Sequence, residues 1–433
     1  MLIFWGCLYI LNKFFNLKKR GWEIEPGLLL IKTRKFNRII DKIARKAPNF
    51  WRNIWNIGII AGIVGMFLII GFLTYNFLML ISPTATEINA VLPLIPGVTI
   101  GGQTLLEILI PLIIIMVSHE LAHGIAARID KIKLKSSGFL MFFVLFGAFV
   151  EVDEKKLQKK STTSQMRVFS AGSFANIMVG FFTFTIFINA NMFLSPFYSP
   201  VSSGVLVQQV SVGPTMFHLS PGSVIRAING TPILNTNWLT LYMWNTKPNQ
   251  TLKIITDSPI ETILFDLFPI KTWVNTFIWT PLPYEYLPLD SIGALGVGVS
   301  DYYPANGIFG FLVSWLGPFF YFSIIKTISW VFILSLGVAL FNLLPIPLFD
   351  GDKLWIALVN KLMKSQDEPT SNSDNSNTKV IDKKNNEKKK KYTKKDIIIN
   401  AVRIYAIFLF LGSVIITVIN MIMGNFNLSS FLG

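Results

Sequence analysis

The sequence predicts a polytopic α-helical membrane protein of about six transmembrane helices, with a small, largely β soluble domain inserted between them. Three observations carry this. The chain of 433 residues is 52% hydrophobic and only 15% charged, with a mean hydropathy of +0.52, whereas soluble domains carry about 25% charged residues. Several apolar runs reach the ~20 residues that a helix needs to cross a bilayer. Between them, residues 196–303 break into strand-length apolar runs separated by turn pairs. The abundance of Phe (37) and Trp (11) fits lipid-facing surface and interfacial belts.

The net charge of +15 first suggests a nucleic-acid partner. The basic residues, however, cluster in loops between apolar segments, which is the positive-inside pattern and reports topology. No nucleic acid is expected. A single cysteine, Cys7, rules out an intrachain disulfide framework and a cysteine-based metal site.

Taken in order, residues 1–103 read as N-terminal membrane segments joined by a basic cytoplasmic loop. The opening "MLIFWGCLYILNKFF" lacks a basic region before its apolar core and a small-residue cleavage site after it, so it reads as a short retained helix, either a marginal span or an interfacial helix. Residues 18–53 hold 11 Lys/Arg against 3 acids and are assigned to the cytoplasm. Residues 56–82 cross, 83–103 form an outer loop, and 104–129 cross back. The segment 138–154 is too short for a clean span and rich in β-branched and aromatic residues. It is expected as a strand-like or re-entrant piece covered by protein. Residues 166–190 cross outward, completing the first part of a membrane core at 104–195. In 196–303, Pro221-Gly222, Asn229-Gly230 and Lys247-Pro248-Asn249 mark turns of the β domain. Its few basic residues suit the non-cytoplasmic side. The second part of the core is 304–364; with the β domain outside and the basic linker inside it must cross an odd number of times, so either half of 307–347 is interfacial or re-entrant, the favoured reading, or the linker is not on the side its charge suggests. Residues 365–396 are a charged, disordered linker, and 397–433 hold the last helix, at 397–424.

The chemistry concentrates at "VSHELAHG". Residues i and i+4 share a helix face, so His119 and His123 can grip one Zn²⁺ at about 2.0–2.1 Å each. Glu120 stands beside the first of them, placed to act as general base on an activated water. Arg128 marks the membrane interface, and the nine residues from His119 to Arg128 span roughly 14 Å of helix. His119 therefore lies at a depth where an idle His-Glu-His set would be costly. A catalytic zinc needs a third protein ligand and an open position. Glu107 lies twelve residues from His119 on the same helix, roughly 18 Å away. Glu151 and Asp153 adjoin a basic loop and suit salt bridges. Asp350 ends "NLLPIPLFDG", where Pro345 and Pro347 must break a helix and free its carbonyls. It can ligate a metal or cap the next helix.

His119-Glu120-Leu121-Ala122-His123, followed about 220 residues later by Asn342-Leu343-Leu344-Pro345-Ile346-Pro347-Leu348-Phe349-Asp350-Gly351, resembles the site-2 protease family of intramembrane zinc metalloproteases. The family's pattern is His-Glu-x-x-His on one helix and Asn-x-x-Pro-x-Pro-x-x-Asp-Gly on another, and every defined position matches. The resemblance implies one catalytic zinc, Asp350 as third ligand, Glu120 as catalytic base, and Asn342 as a residue that holds the substrate strand. Gly172-Ser173-Phe174-Ala175-Asn176 is similar to a further element, usually Gly-Pro-x-x-Asn, with Ser173 in place of Pro. It implies that Asn176 stabilises the oxyanion or orients substrate; interhelical hydrogen bonding is the alternative from chemistry alone. "SSGVLVQQV" and "LSPGSVIRAINGTPI" resemble the PDZ domain that many members carry, so the inserted domain is expected to bind a peptide or protein by strand addition. His218, within it, reads as an ordinary domain residue.

The expected activity is endoproteolysis within the bilayer, on transmembrane segments of single-span membrane proteins, as in regulated intramembrane proteolysis. The expected location is the cell membrane, with the PDZ-like domain outside. A prenyl-protein protease would want a Glu ligand on a later helix, which Asp350 in its Pro-x-Pro setting argues against. A metal transporter would show repeats and several midplane acids, and a catalytically dead scaffold would have lost Glu120.

Overall fold

The computed structural model describes residues 2–15, 17–33, 35–82, 91, 100–142, 145–210, 219–246, 251–257, 270–275, 295, 297–306, 308–364 and 393–423. Its first elements are α1 (Leu2–Phe15), β1 (Trp22–Glu25), β2 (Leu28–Thr33), α2 (Lys35–Lys46), α3 (Pro48–Leu80) and α4 (Gly102–Ile129). Then come β3 (Leu134–Phe142), β4 (Leu145–Val152), α5 (Glu154–Gln158), α6 (Thr162–Ile188) and α7 (Ala190–Leu194). The β-rich stretch contains β5 (Val205–Val210), β6 (Val224–Ile228), β7 (Thr231–Pro232), α8 (Thr236–Trp244), β8 (Thr251–Asp257), β9 (Ile270–Asn275) and β10 (Val297–Asp301). The chain closes with α9 (Gly310–Val313), α10 (Phe320–Asn342), α11 (Asp350–Lys364) and α12 (Lys394–Ile422).

Among the described residues, five helices are long and apolar enough to cross a membrane: α3, α4, α6, α10 and α12. The sequence reading expected about six. The difference lies at α1, whose 14 residues are too short. Residues 308–364 hold a single such helix, because Gly317, at φ +84°, ends the short preceding turns before α10 begins. The chain divides into two compact units, Met1–Thr183 with Ser329–Gly433, and Phe184–Ile328.

In the first unit, α3 offers a glycine face. A Cβ at Gly58 or Gly62 would come within 3.0 Å of Phe174 or Ser170 on α6, and one at Gly65 within 2.7 Å of Leu343. Small residues let helices approach closely and gain dispersion contacts where lipid supplies no hydrophobic drive. Ala122, Ala126 and Ala127 of α4 do the same beside α2 and α6, in a core with the fully buried Ile40. Ion pairs tie the ends of the bundle. Arg167 of α6 donates to Asp130 (2.5 Å) and to Asn56 Oδ1 (3.0 and 3.1 Å), Arg128 pairs with Asp41, and Arg403 clasps Asp352 in a fork.

The sequence predicts only a basic loop over 18–53 and a first full span from 56. Instead, β1, β2 and α2 fill this stretch and α3 starts at Pro48. The strand-like segment after α4 is the hairpin β3–β4. It joins β1 and β2 in one antiparallel sheet of order β1-β2-β3-β4. The bulk of 365–396 lies outside the described residues. Its last residues form the start of α12, where Thr393 and Asp396 make a reciprocal capping box.

The second unit is built on a six-stranded antiparallel sheet of order β10-β5-β6-β8-β9, with β7 on β6. Val205, Val207, Ile225, Ile228, Ile233 and Ile254 form its fully buried core. Asn229 and Gly230 both adopt positive φ, at 49° and 84°, in the tight turn from β6 to β7. Helix α8 is tied to edge strand β10 through Thr236, whose N–H and hydroxyl both donate to Asp301 Oδ1. His218 and Lys247-Pro248-Asn249 lie outside the described residues.

Candidate metal centre

His119 and His123 stand one turn apart on α4, and their Nε2 atoms lie 3.1 Å from each other. Asp350 Oδ2 lies 3.1 Å from His119 Nε2 and 3.0 Å from His123 Nε2. Both histidines are nearly buried. Among the described residues this is the group of ligand-type side chains close enough to share one ion. Tetrahedral zinc with ligand bonds of 2.0–2.1 Å holds its donors roughly 3.3 Å apart, close to the spacing seen.

Asp350 reaches the histidines because the chain breaks sharply after α10. Pro345 and Pro347 cannot continue a helix. Leu343 and Leu344 are fully buried, and Phe349 packs on Phe341 with ring centroids 4.8 Å apart. Leu348, between these anchors, adopts φ +89° with 96% of its surface exposed. Left-handed backbone is strained for a leucine. Gly351 then passes against the main chain: a Cβ there would fall 2.2 Å from the Leu343 carbonyl. Asp350 is the first residue of α11, so the N-cap position falls to Phe349, and its carboxylate is part of the metal-capable triad.

The residues fit a zinc ion on two further counts. A Cβ on Gly172 of α6 would lie 2.4 Å from His123 Nε2 and 2.5 Å from His119 Nε2, so only glycine leaves the convergence point free. His123 Nδ1 lies 2.7 Å from the Val168 carbonyl, which can only accept. The ring proton is therefore on Nδ1, and the Nε2 lone pair faces the centre.

Glu120 Oε2 accepts the Val150 N–H of β4 at 2.8 Å. It lines a cavity of about 580 Å³ together with His119, His123, Asn342 and Asp350, whose outer walls carry Lys135, Glu151, Glu154 and Lys353. On its other side, Glu120 borders a smaller apolar recess of about 180 Å³ walled by Phe36, Phe139 and Phe149. Asn342 ends α10 in the main cavity. Asn176 is fully buried and is not among the residues that line the cavity; its amide meets His119 and Ser118 instead.

The other acids stand apart from the triad. Glu151 accepts from the Ser136 hydroxyl (2.8 Å) and the Lys135 ammonium (3.1 Å), which hold its carboxyl below the usual range. Asp153 caps α5 and pairs with Lys156. Glu107 lies outside the metal-capable group. From sequence, Gly172 is only the glycine of the Gly-Pro-x-x-Asn-like element, with no role of its own, and Ser118 is not singled out. The run of small residues "SAGSFAN" carried the first, but nothing in it distinguishes a metal cradle from helix packing.

The sequence pattern of peptidase family M50 matches residues 107–377. An uncharacterized protein of Methanocaldococcus jannaschii is 28% identical over 370 residues, covering 82% of this chain and 83% of that protein. The membrane-bound transcription factor site-2 protease homolog of Arabidopsis thaliana is 27% identical over 215 residues, 49% of this chain and 41% of the plant protein. With His119, Glu120, His123 and Asp350 all falling inside the matched span, the chain belongs to peptidase family M50, the site-2 protease family of membrane metallopeptidases.

Proposed function

We propose that this protein is a zinc-dependent intramembrane endopeptidase that cleaves the transmembrane segments of single-span membrane proteins. The observation that carries the reading is the meeting of His119, His123 and Asp350, from two separate segments of chain, with Glu120 beside them on a membrane-length helix. Zinc bound there supplies a Lewis acid and a water acidic enough to lose its proton near neutral pH.

Glu120 would serve there as general base and then general acid, taking a proton on its carboxylate and delivering it to the leaving amine. Its link to Val150 keeps the carboxylate beside the outer edge of β4. Among the described residues this strand ends its sheet. An unwound substrate segment would pair along it, its main-chain groups satisfied as they left the helix. Asn342, on the cavity wall, would hold the segment's backbone. The charged walls at Lys135, Glu151, Glu154 and Lys353 provide a wetted route for water.

The second unit would act as a PDZ-like module on the non-cytoplasmic side of the cell membrane, selecting substrates through a bound peptide. Its edge strand β10 beside α8 suits strand addition. The test is metal analysis of the purified full chain with a cleavage assay on a panel of single-span proteins. One zinc per chain, lost in His119→Ala and weakened in Asp350→Ala together with cleavage, is expected. Full zinc retention in Asp350→Ala would remove it from the ligand set.

A further inference from the structure

We propose that Asn176 and Ser118 form a polarised hydrogen-bond chain that fixes the tautomer of His119, making Asn176 a positioning residue behind the metal rather than a group that touches substrate. The proposal rests on the reading of His119 as a zinc ligand.

His119 points Nε2 at Asp350 and His123, so a neutral ring can bind metal there only with its proton on Nδ1. That proton needs an acceptor. What faces Nδ1 is the Asn176 amide: one end lies 3.2 Å from Nδ1, the other 3.1 Å from Ser118 Oγ. The amide has two orientations that differ by exchange of its oxygen and nitrogen. With nitrogen toward the ring, Nδ1 must accept, and the ring proton moves to Nε2, where the metal belongs. Ser118 is then over-committed as well. Its one hydroxyl hydrogen would be needed by both Asn176 Oδ1 and the Ile115 carbonyl, 2.9 Å away.

With oxygen toward the ring, both conflicts vanish. His119 Nδ1–H donates to Asn176 Oδ1, Asn176 Nδ2–H donates to Ser118 Oγ, and the Ser118 hydroxyl donates to the Ile115 carbonyl. A carbonyl can only accept, so the direction of the whole chain is set at that end. The Val168 carbonyl already holds His123 in the matching tautomer. Val168, Gly172 and Asn176 are spaced four residues apart on α6, hence on one face of it. That face supplies an acceptor for each ring and, between them, the gap in which the ring nitrogens converge. Asn176 is 0% exposed, which removes it from reach of a substrate carbonyl.

The test measures zinc affinity of the full chain in detergent by competition with a chromophoric chelator, with turnover as a second readout. Asn176→Leu, which has the size but no acceptor, should bind zinc about 10–100-fold more weakly. Asn176→Asp should hold zinc at least as well as wild type and keep measurable turnover, since a carboxylate accepts from Nδ1–H in either orientation. Ser118→Ala should weaken zinc several-fold, yet have no effect when Asn176 is already Asp. Wild-type affinity in Asn176→Leu would overturn the proposal. So would Asn176→Asp retaining zinc while losing all turnover, the outcome for an oxyanion donor. Should Asn176→Leu fail to fold, the Ser118→Ala pair in the two backgrounds decides alone. Undiminished zinc binding in His119→Ala would instead remove the ligand reading on which the proposal rests.

Discussion

Gly172 has no side chain to offer, yet the centre depends on it. A single methyl group there would sit 2.4 Å from one ligand nitrogen and 2.5 Å from the other. Gly172→Ala is therefore expected to lose zinc and activity as completely as removal of a ligand, although alanine is the better helix former; metal analysis checks it. Leu348 argues in the opposite direction. Its φ of +89° and 96% exposure mean that the fold strains the backbone there without packing the side chain in return. Glycine adopts such a conformation freely, so Leu348→Gly should raise stability by about 1 kcal/mol, read as a higher unfolding midpoint in detergent. An unchanged or lower midpoint would mean that the leucine side chain does hold the loop. The metal-capable group was legible residue by residue. Two of the chain's three histidines fall at i and i+4 with a glutamate between, and Asp350 follows a Pro-x-Pro break that no ordinary apolar helix contains. The roles of Gly172 and Ser118 depend on which atoms of a distant helix face them, and a linear pattern cannot carry that.

Among the elements, the spans were readable because length and apolarity are local properties. Helix α4 was expected at 104–129 and runs Gly102–Ile129, and α6 was expected at 166–190 and runs Thr162–Ile188. The N-terminal half of the four-stranded sheet was not. β2 pairs with β3 across about a hundred residues; "WEIE" alternates over only four residues and "LLLIKT" does not alternate, so neither announces a strand within a run of basic charge. Their partner supplies the order. The buried ion pair was equally hidden: Arg167 and Asp130 have side chains only 8% and 10% exposed, and they join α6 to the end of α4 next to the metal centre. Removing one partner leaves a charge stranded. Arg167→Met should cost about 3–5 kcal/mol, and replacing Asp130 with Leu in the same chain should recover much of it. Thermal unfolding of the single and double variants measures the difference. Equal destabilisation in both would mean that Arg167 acts through its contact with Asn56 rather than through charge.

At the scale of the molecule, the metal-capable group lies within one compact unit, and among the described residues the β-rich unit adds nothing to it. Excising residues 200–300 is accordingly expected to leave zinc content and basal cleavage intact while changing which substrates are cut, as judged on a panel of single-span proteins. Loss of zinc in that variant would make the second unit a structural support of the first. The central claim is that the chain performs zinc-dependent proteolysis with Glu120 as its base. The most direct measurement compares wild type and Glu120→Gln, both purified at full length, for zinc content and for cleavage of a single-span substrate in the same preparation. One bound zinc in each, with cleavage by wild type and none by Glu120→Gln, is the result the account predicts. Cleavage by Glu120→Gln at the wild-type rate, or wild-type protein that cleaves without zinc, would contradict it.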